Sequence, residues 1–148
     1  MRRKGRECAL QILYQMDVNR DLDSEGGRER VGDAIHAFWQ SFETVEEEER
    51  DFAERLVRGV VSDLPLIDDA IAGVSQNWRV TRMGKVDRNL IRLATYEILR
   101  CPDIPRIASI NEAVEIAKRF SGKESAAFVN GVLDQIGKDE GGGGGAPP

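Results

Sequence analysis

The chain has one histidine, two cysteines and only nine aromatic rings: five phenylalanines, two tryptophans and two tyrosines. Each scarcity excludes some chemistry. A Ser/His/Asp catalytic device would have to use His36, and no nucleophile motif surrounds that residue. A zinc site needs more ligands than one histidine and the widely separated Cys8 and Cys101 supply. Both cysteines stand among apolar neighbours and read as small buried hydrophobes. No apolar run approaches the roughly 18 residues that a membrane span requires. Charged Arg6 and Glu7 follow Met1-Arg2-Arg3-Lys4 almost at once, so the apolar core of a signal peptide is missing and the cytoplasm is the expected location. Gly122-Lys123 looks like the end of a phosphate loop, but Ala117 stands where the first glycine belongs and Glu124 where serine or threonine belongs. Asp68 and Asp69 point about 100° apart on a helix, which suits a solvated face better than a carboxylate pair. The expectation is a chain that runs no reaction and holds no metal or cofactor.

Apolar residues make up 41% of the chain and charged residues 32%, enough to build one sizeable core in one domain or two small subdomains. The formal net charge is -5, which argues against indiscriminate nucleic-acid binding. Its distribution says more. Arg2, Arg3, Lys4 and Arg6 carry four positive charges with no acid among them. A basic patch on an otherwise acidic body favours one located anionic partner.

Hydrophobic spacing is helical throughout, and no strand pattern competes with it. The first helix is expected from Arg3 to about Asn19, with Ala9, Leu10, Leu13 and Tyr14 on one side. Asp21 to Gly32 reads as a loop. Ile35, Phe38, Trp39 and Phe42 form a buried stripe on a second helix. Thr44 is a candidate cap for a third, whose acidic start, Glu46 to Glu49, suits a helix N-terminus and reads as solvated. Phe52, Leu56, Val60 and Leu64 repeat behind it until Pro65 ends or kinks the helix. The pattern resumes with Ile67, Ile71 and Val74 towards Trp78. A connection to Gly84 precedes a strongly helical segment from Val86 to Leu99. Ser109-Ile110-Asn111-Glu112 matches a capping box, followed by a stripe that ends at Phe120. Gly122 breaks the chain, and Ser125 is a candidate cap for a last helix bearing Phe128, Val129, Val132, Leu133 and Ile136.

Three stretches stand out together: Arg2-Arg3-Lys4-Gly5-Arg6-Glu7-Cys8-Ala9-Leu10-Gln11-Ile12-Leu13-Tyr14; Val86-Asp87-Arg88-Asn89-Leu90-Ile91-Arg92-Leu93-Ala94-Thr95-Tyr96-Glu97; and Ile110-Asn111-Glu112-Ala113-Val114-Glu115-Ile116-Ala117-Lys118 leading into Phe128-Val129-Asn130-Gly131-Val132-Leu133-Asp134. In order and spacing they resemble the bacterial NusB family of transcription antitermination factors, over nearly the whole chain. The resemblance implies an all-α fold of about six to seven helices in two packed small bundles. It suggests one domain over residues 1–138, with subdomains of about 1–78 and 79–138; the Gly/Pro-rich composition of the end predicts a disordered tail over 139–148. It also implies binding of boxA RNA from ribosomal RNA operons jointly with NusE, a small-subunit ribosomal protein, within the RNA polymerase antitermination complex. No cofactor, reaction or membrane is implied, and a homodimer stays open.

The resemblance assigns RNA contact to Arg2, Arg3, Lys4 and Arg6, and to Phe128 as an aromatic at the RNA surface. Arg92, one turn from Arg88, is a candidate extension of the basic track. Tyr14 and Asp87 match positions that face NusE. Each has a plainer structural reading: core packing for Phe128 and Tyr14, a helix-dipole interaction for Asp87, and a salt-bridged face for Arg88 and Arg92. Asn111 and Asn130 are expected to tie loop backbones together from buried positions. Two other functions stay open: a protein-interaction module whose arm docks an acidic partner, and a ribosomal RNA maturation factor without antitermination activity.

Overall fold

The computed structural model describes residues 2–23, 26–41, 44–75 and 79–142. They hold seven α-helices and no strand: α1 Arg3–Val18, α2 Gly27–Ser41, α3 Glu47–Ser62, α4 Leu64–Val74, α5 Lys85–Arg100, α6 Arg106–Ser121 and α7 Lys123–Gly137. Short 3-10 turns occupy Asp21–Asp23 and Val80–Arg82, and a π-helical turn, Lys138–Gly142, follows α7. That turn overlaps the stretch 139–148 expected as a tail, of which residues 143–148 lie outside the described residues, as do Phe42 and Trp78.

The chain forms two compact units, Met1–Asp63 and Leu64–Pro148. The sequence reading put the division near residue 78. It falls earlier because α4 packs on α5 and α7. Pro65 marks the point. At the second residue of α4 its missing N–H would have had no intrahelical partner, so proline opens a new helix there instead of kinking an old one.

In the first unit α3 packs against both α1 and α2. Leu13, Met16, Leu56 and Val60 are fully buried. Helix α2 starts inside the stretch that reads as a loop. Gly27 is buried there, and a Cβ on it would lie 2.8 Å from the Asp21 carbonyl oxygen. Arg30 pairs with Asp21 at 2.8 Å, and Arg28 Nη2 donates to the Ser62 carbonyl at 3.0 Å. Of the expected α2 stripe, Ile35 is buried, whereas Phe38 and Trp39 are half-buried. Trp39 Nε1 donates to Glu54 of α3 at 3.1 Å, and the Arg50 guanidinium lies 4.9 Å above the indole.

In the second unit α6 and α7 pair closely, and α5 packs on both. Ile67, Ile71, Ile91, Ile116, Leu133 and Ile136 are buried. Both expected serine caps take other work. Helix α6 starts three residues before Ser109, after Pro105, whose carbonyl accepts from Ala108 and Ser109 at 3.0 and 3.2 Å. Ser109 Oγ donates instead to the buried Glu97 at 2.7 Å. Helix α7 starts directly after Gly122, which has φ +104°, a conformation that favours glycine. Ser125 donates to Asp87.

Candidate nucleic-acid interface

The basic residues lead straight into α1: Arg2 is its N-cap, and Arg3, Lys4 and Arg6 lie in its first turns. Their burial differs. Arg2 and Lys4 are exposed, Arg3 is half-buried, and Arg6 is only 6% exposed. The reason lies in α3. The Gly5 N–H donates to Glu49 Oε1 at 2.8 Å, one of the α1 first-turn donors that have no intrahelical acceptor. The guanidinium carbons of Arg2 and Arg6 lie 4.6 and 5.2 Å from the centre of the Phe52 ring. All four residues also have further interactions within the protein. The acidic start of α3 is therefore not merely solvated, since Glu49 closes the N-terminus of α1.

Below this turn Cys8 is 1% exposed, and burial pushes its thiol up from 9.0 to about 11. It is a packing residue, as its neighbours in the sequence suggested. Tyr14, two turns further along α1, is 40% exposed and presents its ring to solvent.

In the second unit Asp87 occupies the first turn of α5 and accepts from the Ser125 hydroxyl in the first turn of α7. Phe128 stands one turn beyond Ser125, half-buried. Asp87 and Ser125 thus join the starts of α5 and α7. Phe120, expected in the α6 core stripe, is instead 49% exposed, with the Arg119 guanidinium 5.9 Å from its ring.

Arg92 is not an open cation. It is 7% exposed and grips Asp68 of α4 with two hydrogen bonds of 2.9 Å. Its Nη1 donates to Asn89 Oδ1 at 3.1 Å. Arg88 is likewise buried, its Nη1 reaching the Val80 and Thr81 carbonyls at 3.2 and 3.3 Å. The expected extension of the basic track along α5 is therefore a pair of structural ties. Among the described residues of this unit the buried asparagine is Asn89, which donates to the Lys85 carbonyl at 2.9 Å. Asn111 and Asn130, expected in that role, are exposed.

Among the described residues no group of three His, Cys, Asp or Glu side chains is placed to hold a metal ion. No described helix is long and apolar enough to cross a membrane.

The pattern of the NusB family matches residues 3–138. The chain belongs to the NusB family. Curated relatives are named "Transcription antitermination protein NusB". The one from Anaeromyxobacter sp. strain Fw109-5 is 51% identical over 135 residues, 91% of this chain and 88% of its own length. That from Thermodesulfovibrio yellowstonii is 41% identical over 140 residues, 94% and 93% of the two chains. Among solved structures, T. maritima NusB superimposes with a TM-score of 0.78 at 36% identity, covering 94% of this chain and 92% of that one. A structure described as "Antitermination Factors NusB and NusE in complex with dsRNA" has the same fold, with a TM-score of 0.78 at 23% identity, covering 93% and 96%.

Within this NusB fold, periodicity could not reveal the pairing of the arginine turn with Phe52 and Glu49. Both α3 residues lie more than 40 positions from Gly5. Phe52 looked like an ordinary member of a core stripe, and Glu49 like one of four equivalent acids.

Proposed function

We propose that this chain is an RNA-binding antitermination factor. On this reading it takes up boxA RNA of ribosomal RNA operons together with NusE and joins the RNA polymerase antitermination complex. It works in the cytoplasm beside the transcribing polymerase, runs no reaction and needs no cofactor. The observation that carries the reading is the family match over residues 3–138, and the basic first turn of α1 lies inside that match.

The chemistry of that turn supports it. Arg2 and Lys4 are exposed and Arg3 partly so, and cations on a helix end can neutralise phosphates while releasing counterions. Arginine also hydrogen-bonds and stacks on unpaired bases. Phe128, half-buried near the start of α7, keeps part of a ring available for stacking. The exposed Tyr14 and the Asp87 carboxylate suit a protein partner, NusE in this reading, with a flat amphipathic ring and a fixed charge. Arg92 is left out, because its fork is already committed to Asp68.

The test is a titration of a boxA RNA oligonucleotide, against a scrambled control, with the chain alone and with NusE across a series of salt concentrations. The boxA sequence should bind more tightly, and more so with NusE. If three or four phosphates are neutralised, log affinity should fall with log salt at a slope of roughly -2 to -3. The Arg2→Ala/Arg3→Ala variant should bind more weakly with a shallower slope at unchanged helicity. Asp87→Lys should weaken NusE binding more than RNA binding. Equal weak binding of both RNAs, with or without NusE, would sink the proposal in favour of a protein-docking arm.

A further inference from the structure

We propose that Ser125 is a positioning residue that couples two binding events: its hydroxyl ties Asp87, the carboxylate read as facing NusE, to the first turn of α7, the helix that carries Phe128. This rests on the assignments of Asp87 and Phe128 given above.

The tie lies within the second unit. Asp87 stands in the first turn of α5 and Ser125 in the first turn of α7, and the Ser125 hydroxyl donates to Asp87 Oδ1. Both residues are half-buried, so water competes with this bond less than it would at an open surface. Neither helix start is closed by a side-chain cap of its own. Gly84 precedes α5 and Gly122 precedes α7, and no side chain caps either. Gly122 also ends α6, with φ +104°, so α7 leaves α6 without a connecting segment. The Ser125–Asp87 bond therefore holds two glycine-led first turns against each other. Ala126 and Val129 are buried and anchor α7 on the core. Phe128 follows Ser125 by three residues, a spacing that makes the two neighbours on the helix surface.

Both ends of the bond serve recognition. A carboxylate accepts more donors than one hydroxyl supplies, so a partner's cation can engage Asp87 while Ser125 holds it. A base stacked on Phe128 bears on the turn that contains Ser125. Each event needs an ordered side chain, and one already held loses less freedom on binding. A ligand that fixes one end of the bond fixes the other, so the second ligand meets a turn already ordered. By linkage the effect is reciprocal: RNA strengthens NusE binding by the same factor by which NusE strengthens RNA binding. Without the hydroxyl both sites remain, but they no longer share an ordered turn.

The test uses the full chain, NusE and a boxA RNA oligonucleotide. RNA affinity is measured by fluorescence anisotropy without and with saturating NusE, and NusE affinity by calorimetry without and with RNA. The ratio of the two affinities in either titration is the coupling factor. Ser125→Ala keeps a good helix former and should lower this factor roughly three- to tenfold, equally in both titrations. Ser125→Thr keeps the hydroxyl and should stay within about twofold of the parent. Adding Ser125→Ala to Asp87→Ala should lower the factor no further, because the bond is already gone. The inference is overturned if folded Ser125→Ala is coupled like the parent, if Ser125→Thr loses as much, or if Ser125→Ala has its full effect in the Asp87→Ala background. A parent whose RNA affinity NusE leaves unchanged also overturns it. Failure of the underlying reading shows separately, as boxA RNA that the parent binds no better than a scrambled control, with or without NusE.

Discussion

Arg92 and Asp68 meet in a two-pronged ion pair, Nε to Oδ1 and Nη2 to Oδ2, each 2.9 Å, tying α5 to α4. The arginine side chain is 8% exposed and the aspartate 29%, so the pair is only partly screened by water. Removing the carboxylate strands a buried cation, a costly outcome. Asp68→Ala should therefore destabilise the protein by about 2–3 kcal/mol, after discounting for the exposed side of the aspartate. Arg92→Lys should recover little of the function of this pair, because an ammonium cannot reproduce the fork. Thermal unfolding followed by circular dichroism measures both. A melting temperature for Asp68→Ala within a degree or so of the parent would show that the tie contributes nothing.

Gly5 offers a contrast between local preference and packing. Alanine is favoured over glycine in a helix by about 1 kcal/mol, so Gly5→Ala should stabilise α1 if nothing else mattered. The added Cβ would stand 2.9 Å from the Glu49 carbonyl oxygen, a backbone atom that cannot swing aside. Overpacking of this kind costs about 1–3 kcal/mol, and a net loss of stability is expected. Urea denaturation should show a lower midpoint at an unchanged slope. A raised midpoint would mean that α1 and α3 part more easily than their contact suggests.

Burial raises the Cys8 thiol to about 11, with consequences for reactivity and for alkaline stability. Native protein at pH 8 should react with a thiol reagent far more slowly than unfolded protein, because the thiolate is the nucleophile. The sign of the stability effect follows from proton binding. Between 9.0 and about 11 the folded state keeps the Cys8 proton while the unfolded state loses it. Stability therefore falls as pH rises through this window, by about 3 kcal/mol in full. Cys8→Ala should show a shallower alkaline decline than the parent in urea unfolding at a series of pH values. Equal declines would remove Cys8 as a contributor.

Thr95 is fully buried on α5, and its hydroxyl oxygen has no hydrogen-bond partner among the described residues. A buried hydroxyl without a partner is unfavourable relative to a methyl group of the same shape. Thr95→Val should raise stability by about 1 kcal/mol. Calorimetric unfolding gives the answer, and a clear drop in melting temperature would mean that the hydroxyl has a partner in solution.

The sequence by itself determined the helices and the location of positive charge. Leu13, Leu56, Ile91 and Leu133 each stand in an apolar stripe of helical spacing on their own helix, and burial followed it, because a helix places every third or fourth residue on one face whatever lies opposite. The cluster of cations at Arg2, Arg3, Lys4 and Arg6 was equally plain. Only the tertiary structure decided what those faces and charges meet. It gave Arg92 to Asp68, Ser109 to Glu97, Ser125 to Asp87, and the arginine turn to Phe52 and Glu49. Periodicity reports which side of a helix turns inward. It carries no information about which residue of a distant helix stands there, because that depends on how helices pack in three dimensions.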